Sequence, residues 1–406
     1  MSDTAWTAVH GDVSPSLHDA IAERATPFYV LDVAQVERRA RSFVAGAARA
    51  TARVTCAYPF KANPLTVIAR AAIGVYGQAE VATIEELALA RVTTEPTSNI
   101  FVGGIAKSTD TLLRAAKLGA TIKIDSVGEL ARLRSVWHRL EEHDTWSLLL
   151  RIALPEHDGW SRFGMLREDA CRAAASREPW TRRLRGVHFH AGTNLTDPAP
   201  FAEATRWCVP VLQAVSELDH VERACLDVGG GYPNVPDGDV EATATTFVGA
   251  VTGVLRNAGF GADAIDVVCE PGRITVERAG VLVASVIERA RSATHAVVVD
   301  VGSTLAGGSW APVRAGRSIV FWNDADTVAT SCDVYGNLCH EGDVVAEAAT
   351  IVRDSSARAI AIMGDVGAYR LAAAAPWMQK LPAVYELRDD QLVEVRSALR
   401  LEQFTA

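Results

Sequence analysis

The sequence predicts an α/β chain, a (β/α)8 barrel over residues 27–279 followed by an antiparallel β domain over residues 280–406. Three observations carry this. From Pro27 onward, short apolar runs alternate with longer amphipathic stretches at a spacing of roughly 25–40 residues, the pattern of parallel strands joined by helices. About eight such repeats occur, the number that closes a barrel. After about Gly280 the helical pattern nearly vanishes, and β-branched runs separated by turn signals such as Asn323-Asp324 and Glu341-Gly342 replace it. A doubly wound open sheet fits less well, because the Gly-rich segment Gly229–Asn234 reads GGGYPN and is not a GxGxxG at a first βα turn.

In chain order the expected strands are Phe28–Leu31, Val54–Tyr58, Ala79–Ala82, Ile100–Val102, Thr121–Ile124, Ser147–Ile152, Gly186–His190, Cys225–Val228 and Val267–Glu270. Each is a short apolar or β-branched run bounded by turn residues. Between most of them lie stretches of helical periodicity, such as Ile84–Arg91, Thr109–Leu118, Val127–Arg139 and Pro200–Leu218. The second region offers strands at Val281–Ile287, Ala296–Val299, Ser318–Trp322, Asp343–Val352 and Ala359–Met363, and an alanine-rich helical turn at Leu371–Pro376.

Composition narrows the function classes. With 406 residues, the chain exceeds one ordinary core. A net charge of −9 argues against nucleic acid or an anionic membrane as the main partner. No apolar run approaches membrane-spanning length, and the first residues lack the basic start and apolar run of a signal peptide. Seven cysteines without a CxxC pair fit reduced thiols and a cytoplasmic location. Cys332 and Cys339 lie close in sequence, but nothing nearby completes a zinc set, so no metal site is expected.

A barrel of this kind carries its active site at the C-terminal ends of its strands. Lys61 follows the first barrel strand, between Pro59 and Pro64. A lysine there can be desolvated, lose its proton and attack a carbonyl to form a Schiff base, although a solvated loop lysine is an equal reading of that stretch alone. Glu80 and then Glu86 come with the second strand, Arg151 with the fifth, and His188, His190, Gly192 and Thr193 with the sixth. Gly229, Gly230 and Gly231 follow the seventh, and the eighth carries Glu270-Pro271-Gly272-Arg273. Glycine backbone N–H groups and an arginine fork suit a phosphate, and loops after the seventh and eighth strands commonly bind one. Glu270 ends an apolar run, so its carboxylate is expected to be partly buried and to need a partner. A lysine, a phosphate cradle and a buried carboxylate together describe a pocket for pyridoxal phosphate.

The segments YPFKANP (Tyr58–Pro64), GVHFHAGT (Gly186–Thr193), LDVGGGYP (Leu226–Pro233), CEPGR (Cys269–Arg273), SCDVYG (Ser331–Gly336) and GDVGAY (Gly364–Tyr369) resemble, in order and spacing, the fold-type III pyridoxal-phosphate decarboxylases. That group contains the diaminopimelate, ornithine and arginine decarboxylases. The resemblance implies a TIM-type barrel with a β domain as in alanine racemase, the N-terminal arm (residues 1–26) joining that β domain. It makes Lys61 the cofactor lysine, Glu270 the partner of the pyridine nitrogen and His190 the residue stacked on the ring. Thr193, Gly230, Gly231, Gly272, Arg273 and Tyr369 become phosphate ligands, and Glu80 and Arg151 neighbours of the ring hydroxyl. Cys332 matches the cysteine that returns a proton to the α-carbon, and Asp333 the acid that reads the far end of the substrate. In relatives these two enter the partner subunit's site, which implies a homodimer with shared active sites and a small-molecule amino-acid substrate.

Two departures bear on the substrate. Where diaminopimelate decarboxylases carry Arg-Pro-x-x-Tyr, this chain has Ala311 before Pro312 and Ala315 in the tyrosine position; their Cys-Glu-Ser-x-Asp becomes Cys332-Asp333-Val334-Tyr335-Gly336. Both weaken the case for diaminopimelate itself. Asp333 suits a distal cation, whereas Trp310 and Arg314 suit something larger, such as a conjugated amino acid of siderophore or antibiotic metabolism. A racemase on the same barrel and a catalytically decayed regulatory homologue are the alternatives. Glu270 speaks against the first, because racemases typically place an arginine at the ring nitrogen. Retention of the site residues speaks against the second.

Overall fold

The computed structural model describes residues 21, 23–91, 93, 100–143, 145–155, 162–289, 296–306, 319–322, 329–352, 360–389 and 391–399. The chain divides into two compact units, one of Glu37–Thr275 and one of Met1–Val36 with Val276–Ala406.

The expected first strand, β1 (Phe28–Leu31), is formed but is not a barrel strand. It pairs antiparallel with Gly280–Arg289 and parallel with Ala383–Arg388, inside the sheet of the second unit. All four of its residues are buried. A short run buried on both faces reads the same in a barrel wall and in a sheet interior, so sequence pattern alone does not separate the two.

The first unit is a closed barrel of eight parallel strands: β2 (Val54–Pro59), β3 (Gly77–Val81), β4 (Ile100–Val102), β5 (Thr121–Ile124), β6 (Ser147–Arg151), β7 (Leu184–His188), β8 (Ala224–Asp227) and β9 (Ile265–Cys269). Closure comes from β9 pairing back onto β2, with Val54 opposite Val267 and Cys56 opposite Cys269. Helices such as Thr66–Tyr76, Thr109–Lys117, Val127–Ser135 and Val240–Asn257 connect successive strands. Ser108 and Ser126 start two of them by accepting the backbone N–H of Thr111 and Glu129, each at 3.1 Å. One side-chain layer fills the barrel: Ala57, Phe101 and Leu149, with Cys225 packed against them. These come from alternate strands, β2, β4, β6 and β8, as the tilt of an eight-stranded barrel dictates. Val268 of β9 completes the cluster.

In the second unit the strands β10 (Gly280–Arg289), β11 (Ala296–Val299), β12 (Ile319–Trp322), β13 (Ala329–Tyr335), β14 (Val344–Val352), β15 (Ile360–Met363), β16 (Ala383–Arg388) and β17 (Gln391–Arg396) join β1 in a nine-stranded sheet. Most pairings are antiparallel, but β1–β16 and β11–β13 are parallel. Phe28, Val30, Val281, Val283, Ile362 and Leu392 form its buried core. The expected helical turn appears as Arg370–Ala373. No helix among the described residues is long and apolar enough to cross a membrane.

Candidate functional site at the barrel rim

The C-terminal ends of the barrel strands bring together most of the polar residues singled out above. Lys61 lies in a tight 3-10 turn, Phe60–Ala62, directly after β2. Its neighbours Phe60 and Ala62 are buried, and the Tyr58 hydroxyl donates to the carbonyl of Asn63 at 2.9 Å, pinning the turn. The Lys61 side chain is 43% exposed, and its ammonium donates to Oε2 of buried Glu80 at 2.5 Å. Of the two readings left open by the sequence, the side chain's exposure matches the solvated one. The turn sits at the rim, where the side chain is partly open to solvent and meets the Glu80 carboxylate.

At the same end of the barrel, three strands converge on a buried charge cluster. Lys123, on β5, places its ammonium 2.6 Å from Oδ2 of Asp227 at the end of β8 and donates to Oε1 of Glu270, just past β9. The side chains are 2%, 0% and 4% exposed respectively. Burial opposes the charge on Lys123, but Asp227 and Glu270 outweigh it and hold its pKa above the ordinary lysine value. His188, at the end of β7, stands with Nδ1 3.2 Å from Oδ1 of Asp227. Burial first, and then the charge of Lys123, push the His188 pKa well below its usual value, so its imidazole is neutral.

The glycine loop threads between these groups. The backbone N–H of Gly229 donates to Oδ1 of Asp227, and the carbonyl of Gly229 accepts the N–H of Glu270, both at 2.9 Å. A Cβ on Gly230 would lie 2.7 Å from the Glu270 carbonyl oxygen. Gly231 has φ +110°, and a Cβ there would lie 2.4 Å from the carbonyl oxygen of Gly192. Only glycine lets the backbone pass this closely. The N–H of Leu195 donates to the Gly231 carbonyl at 2.9 Å, tying this loop to the one that carries Thr193.

β7 ends at His188, so His190 lies in the loop beyond it and not on the strand as expected. It is partly buried beside the glycine loop, and burial, with Lys61 and Arg151 next, pushes its pKa down to about 4. A neutral imidazole can lie flat against an aromatic ring. Thr193 is exposed. Arg151 is held by Asp125 at 3.2 Å, with its guanidinium 4.6 Å from the centre of the Phe163 ring. Glu86 accepts the backbone N–H of Ala82 at 2.7 Å, and burial raises its pKa. Gly272 is buried, and Arg273 begins the short helix Arg273–Val276.

The remaining expected residues belong to the second unit. Cys332 and Asp333 lie on β13. Cys332 is buried, and burial followed by the charge of Asp333 pushes its thiol up to about 11. Tyr369 precedes the helix Arg370–Ala373 with φ 63°. Trp310 and Arg314 lie outside the described residues. Sequence reasoning missed Lys123. Its signal was a single charged residue inside the apolar strand Thr121–Ile124, whose last three residues are all buried.

An amine at the rim, a buried carboxylate and a glycine loop with backbone N–H groups suit the aldehyde, ring nitrogen and phosphate of pyridoxal phosphate in turn. Comparison with known proteins agrees. The family described as "Pyridoxal-dependent decarboxylase, pyridoxal binding domain" matches residues 33–277. A diaminopimelate decarboxylase of Deinococcus radiodurans is 27% identical over 363 residues, covering 87% of this chain and 88% of the relative. Among solved structures, diaminopimelate decarboxylase from M. jannaschii in complex with L-lysine superposes with a TM-score of 0.81 at 21% identity, covering 96% of this chain and 93% of that one. A lysine/ornithine decarboxylase from Vibrio vulnificus, complexed with cadaverine, gives 0.73 at 21% identity, with coverage of 92% and 98%.

Proposed function

The chain belongs to the pyridoxal-dependent decarboxylase family, with pyridoxal phosphate as cofactor and amino-acid decarboxylation as its reaction, and from that premise we propose how its own residues divide the work and which amino acids it takes. The observation that carries the proposal is the buried carboxylate of Glu270, held by Lys123 just past β9, the strand paired with the one that Lys61 follows. Bound pyridoxal phosphate supplies the electron sink for the broken Cα–carboxylate bond. Lys61 would hold the cofactor aldehyde and be the group the substrate amine displaces. Glu270 keeps a proton at the ring nitrogen, and neutral His190 covers one ring face. Thr193, Gly230, Gly231, Gly272, Arg273 and Tyr369 hold the phosphate, while Glu80 and Arg151 border the ring hydroxyl.

Cys332 delivers the proton to the α-carbon. Its thiol, pushed up to about 11, carries that proton at neutral pH. Asp333 reads a distal cation on the substrate, and Trp310 and Arg314 a larger appendage. The substrate is a basic amino acid or an amino-acid conjugate of specialised metabolism. The enzyme works as a homodimer whose subunits share Cys332 and Asp333 across the sites, in a cytoplasm that keeps its seven free cysteines reduced. Diaminopimelate is the second reading, favoured by the naming of relatives 25–27% identical and opposed by Ala311 and Ala315.

The deciding experiment measures carbon dioxide release from L-ornithine, L-lysine, L-arginine, meso-diaminopimelate and conjugated amino acids, with Lys61→Ala as control. Release from one basic amino acid or one conjugate, lost in the control, supports the proposal. Release from diaminopimelate alone selects the second reading, and scrambled α-carbon stereochemistry without release would select a racemase. For the shared site, mixing inactive Lys61→Ala with inactive Cys332→Ala should restore about a quarter of the activity by random subunit exchange.

A further inference from the structure

We propose that Lys123 is a positioning residue that acts as a fixed cation: it neutralises one of the two carboxylates Asp227 and Glu270, so that a single negative charge faces the ring nitrogen at any pH near neutrality. This deepens the reading above and rests on its assignment of Glu270 to the ring nitrogen.

The argument is one of charge count in a place water does not reach. The ammonium of Lys123 contacts both carboxylates, and all three side chains are essentially buried. Charges so placed are not screened, and an excess charge calls for a partner of opposite sign. Among the described residues, the groups around the cluster do not supply it. From β7, His188 is neutral, and beyond it so is His190. From β3, Glu80 is engaged by Lys61, and from β6, Arg151 by Asp125. The thiols of Cys225 on β8 and Cys269 on β9 are pushed up by burial and keep their protons. From β4 the Phe101 ring lies 5.4 Å from the ammonium. One cation against two carboxylates leaves one negative charge, which a protonated ring nitrogen balances. Without Lys123, a proton would have to take its place, and protons, unlike the lysine, come and go near neutral pH.

The test is pyridoxal phosphate affinity, read by absorbance on the full chain stripped of cofactor and titrated between about pH 5 and 8.5. Lys123→Met should weaken binding about tenfold or more at neutral pH and add a one-proton dependence, about tenfold per pH unit, that the parent lacks. Asp227→Asn leaves Lys123 and Glu270 in balance, with no net charge for the ring nitrogen, and should also weaken binding about tenfold. The double variant Lys123→Met/Asp227→Asn restores the single negative charge, and should return to within about threefold of the parent with its flat pH profile. This pair keeps the test alive should Lys123→Met alone fail to fold. A double variant that binds no better than Asp227→Asn, or a Lys123→Met profile that falls equally at every pH, overturns the proposal. An analogue of the cofactor with carbon in place of the ring nitrogen separates the two levels. If the parent binds it as tightly as pyridoxal phosphate, the assignment of Glu270 itself is wrong. If the parent discriminates but the variants do not behave as stated, only the role of Lys123 is.

Discussion

Two buried lysines in the barrel unit solve the same problem in opposite ways. Lys107 meets one carboxylate, Glu129, at 2.8 Å, and spends its other protons on the carbonyls of Gly104 and Lys123 at 3.0 and 2.6 Å. Burial lowers the pKa of Lys107 and raises that of Glu129, so each partner leans toward its neutral form, and the other, with help from Asp125, favours the ionised one. Lys123, adjacent through that carbonyl, meets two carboxylates, and its pKa moves the other way. The first arrangement is closed: charges match, and the pair braces the loop before the Thr109–Lys117 helix. The second is open, with one ammonium set against two carboxylates among the described residues. Buried charge that cancels is structural, and buried charge that does not cancel marks where a ligand completes the count.

Breaking the closed pair gives the largest stability effect. Lys107→Met leaves Glu129 buried without its partner and two carbonyls without their donor, and should cost about 3–5 kcal/mol of unfolding free energy. Lys107→Met combined with Glu129→Leu removes both charges and should recover part of that loss, because no buried charge is then left unpaired, although the carbonyls of Gly104 and Lys123 still lack their donor. Denaturant unfolding of the three proteins with cofactor bound measures both numbers. A double variant as unstable as the single one would mean that the carbonyl contacts, and not the ion pair, hold the loop.

The open cluster should respond with the opposite sign. Glu270→Gln removes the excess negative charge and leaves Lys123 matched with Asp227. Without cofactor the variant should be more stable than the parent by about 1–2 kcal/mol, while the stabilisation gained on adding pyridoxal phosphate shrinks and decarboxylation is lost. Unfolding with and without cofactor reads this directly. A Glu270→Gln protein less stable than the parent in both states would show that the cluster is balanced in itself, and the contrast with Lys107 would fall.

How much of this the sequence already contained depends on whether a feature is local. The barrel strands from Val54 to Cys269 were legible because each is a short apolar run with turn residues at its ends, and Lys61, Glu80, Glu270 and the glycine loop because they sit at those ends. Phe28–Leu31 falls inside the region expected to hold the barrel, residues 27–279, yet pairs in the other sheet, since a run buried on both faces carries no mark of its partner. His190 was read one step too early, onto a strand that stops at His188. Lys123 was overlooked for a related reason. Its partners lie 104 residues on at Asp227 and 147 residues on at Glu270, and no periodicity reports a contact between the fourth, seventh and eighth strands of a closed barrel. A lone lysine in an apolar strand is nevertheless a visible anomaly, because burying it demands a carboxylate somewhere.

The smallest predicted effect concerns the edge of the open cluster. His190 has a folded pKa of about 4 against an ordinary 6.5, because burial and then the charges of Lys61 and Arg151 disfavour its protonated form, with Glu80 opposing and Lys123 adding slightly. A depressed folded value means that the unfolded chain binds the proton more readily. The stability contributed is therefore complete above about pH 6.5 and is lost as pH falls from there through about pH 4. The full shift corresponds to about 3 kcal/mol, and the partial exposure of the ring reduces it to about 1–2 kcal/mol. His190→Gln should remove that much of the acid-side loss in the cofactor-free protein while leaving stability at pH 7.5 close to the parent's. The residual slope belongs to His188, which is depressed further and faces Asp227 directly. If His190→Gln leaves the slope unchanged, burial and the neighbouring charges do not disfavour the protonated imidazole, and the edge of the open cluster contributes nothing to acid sensitivity.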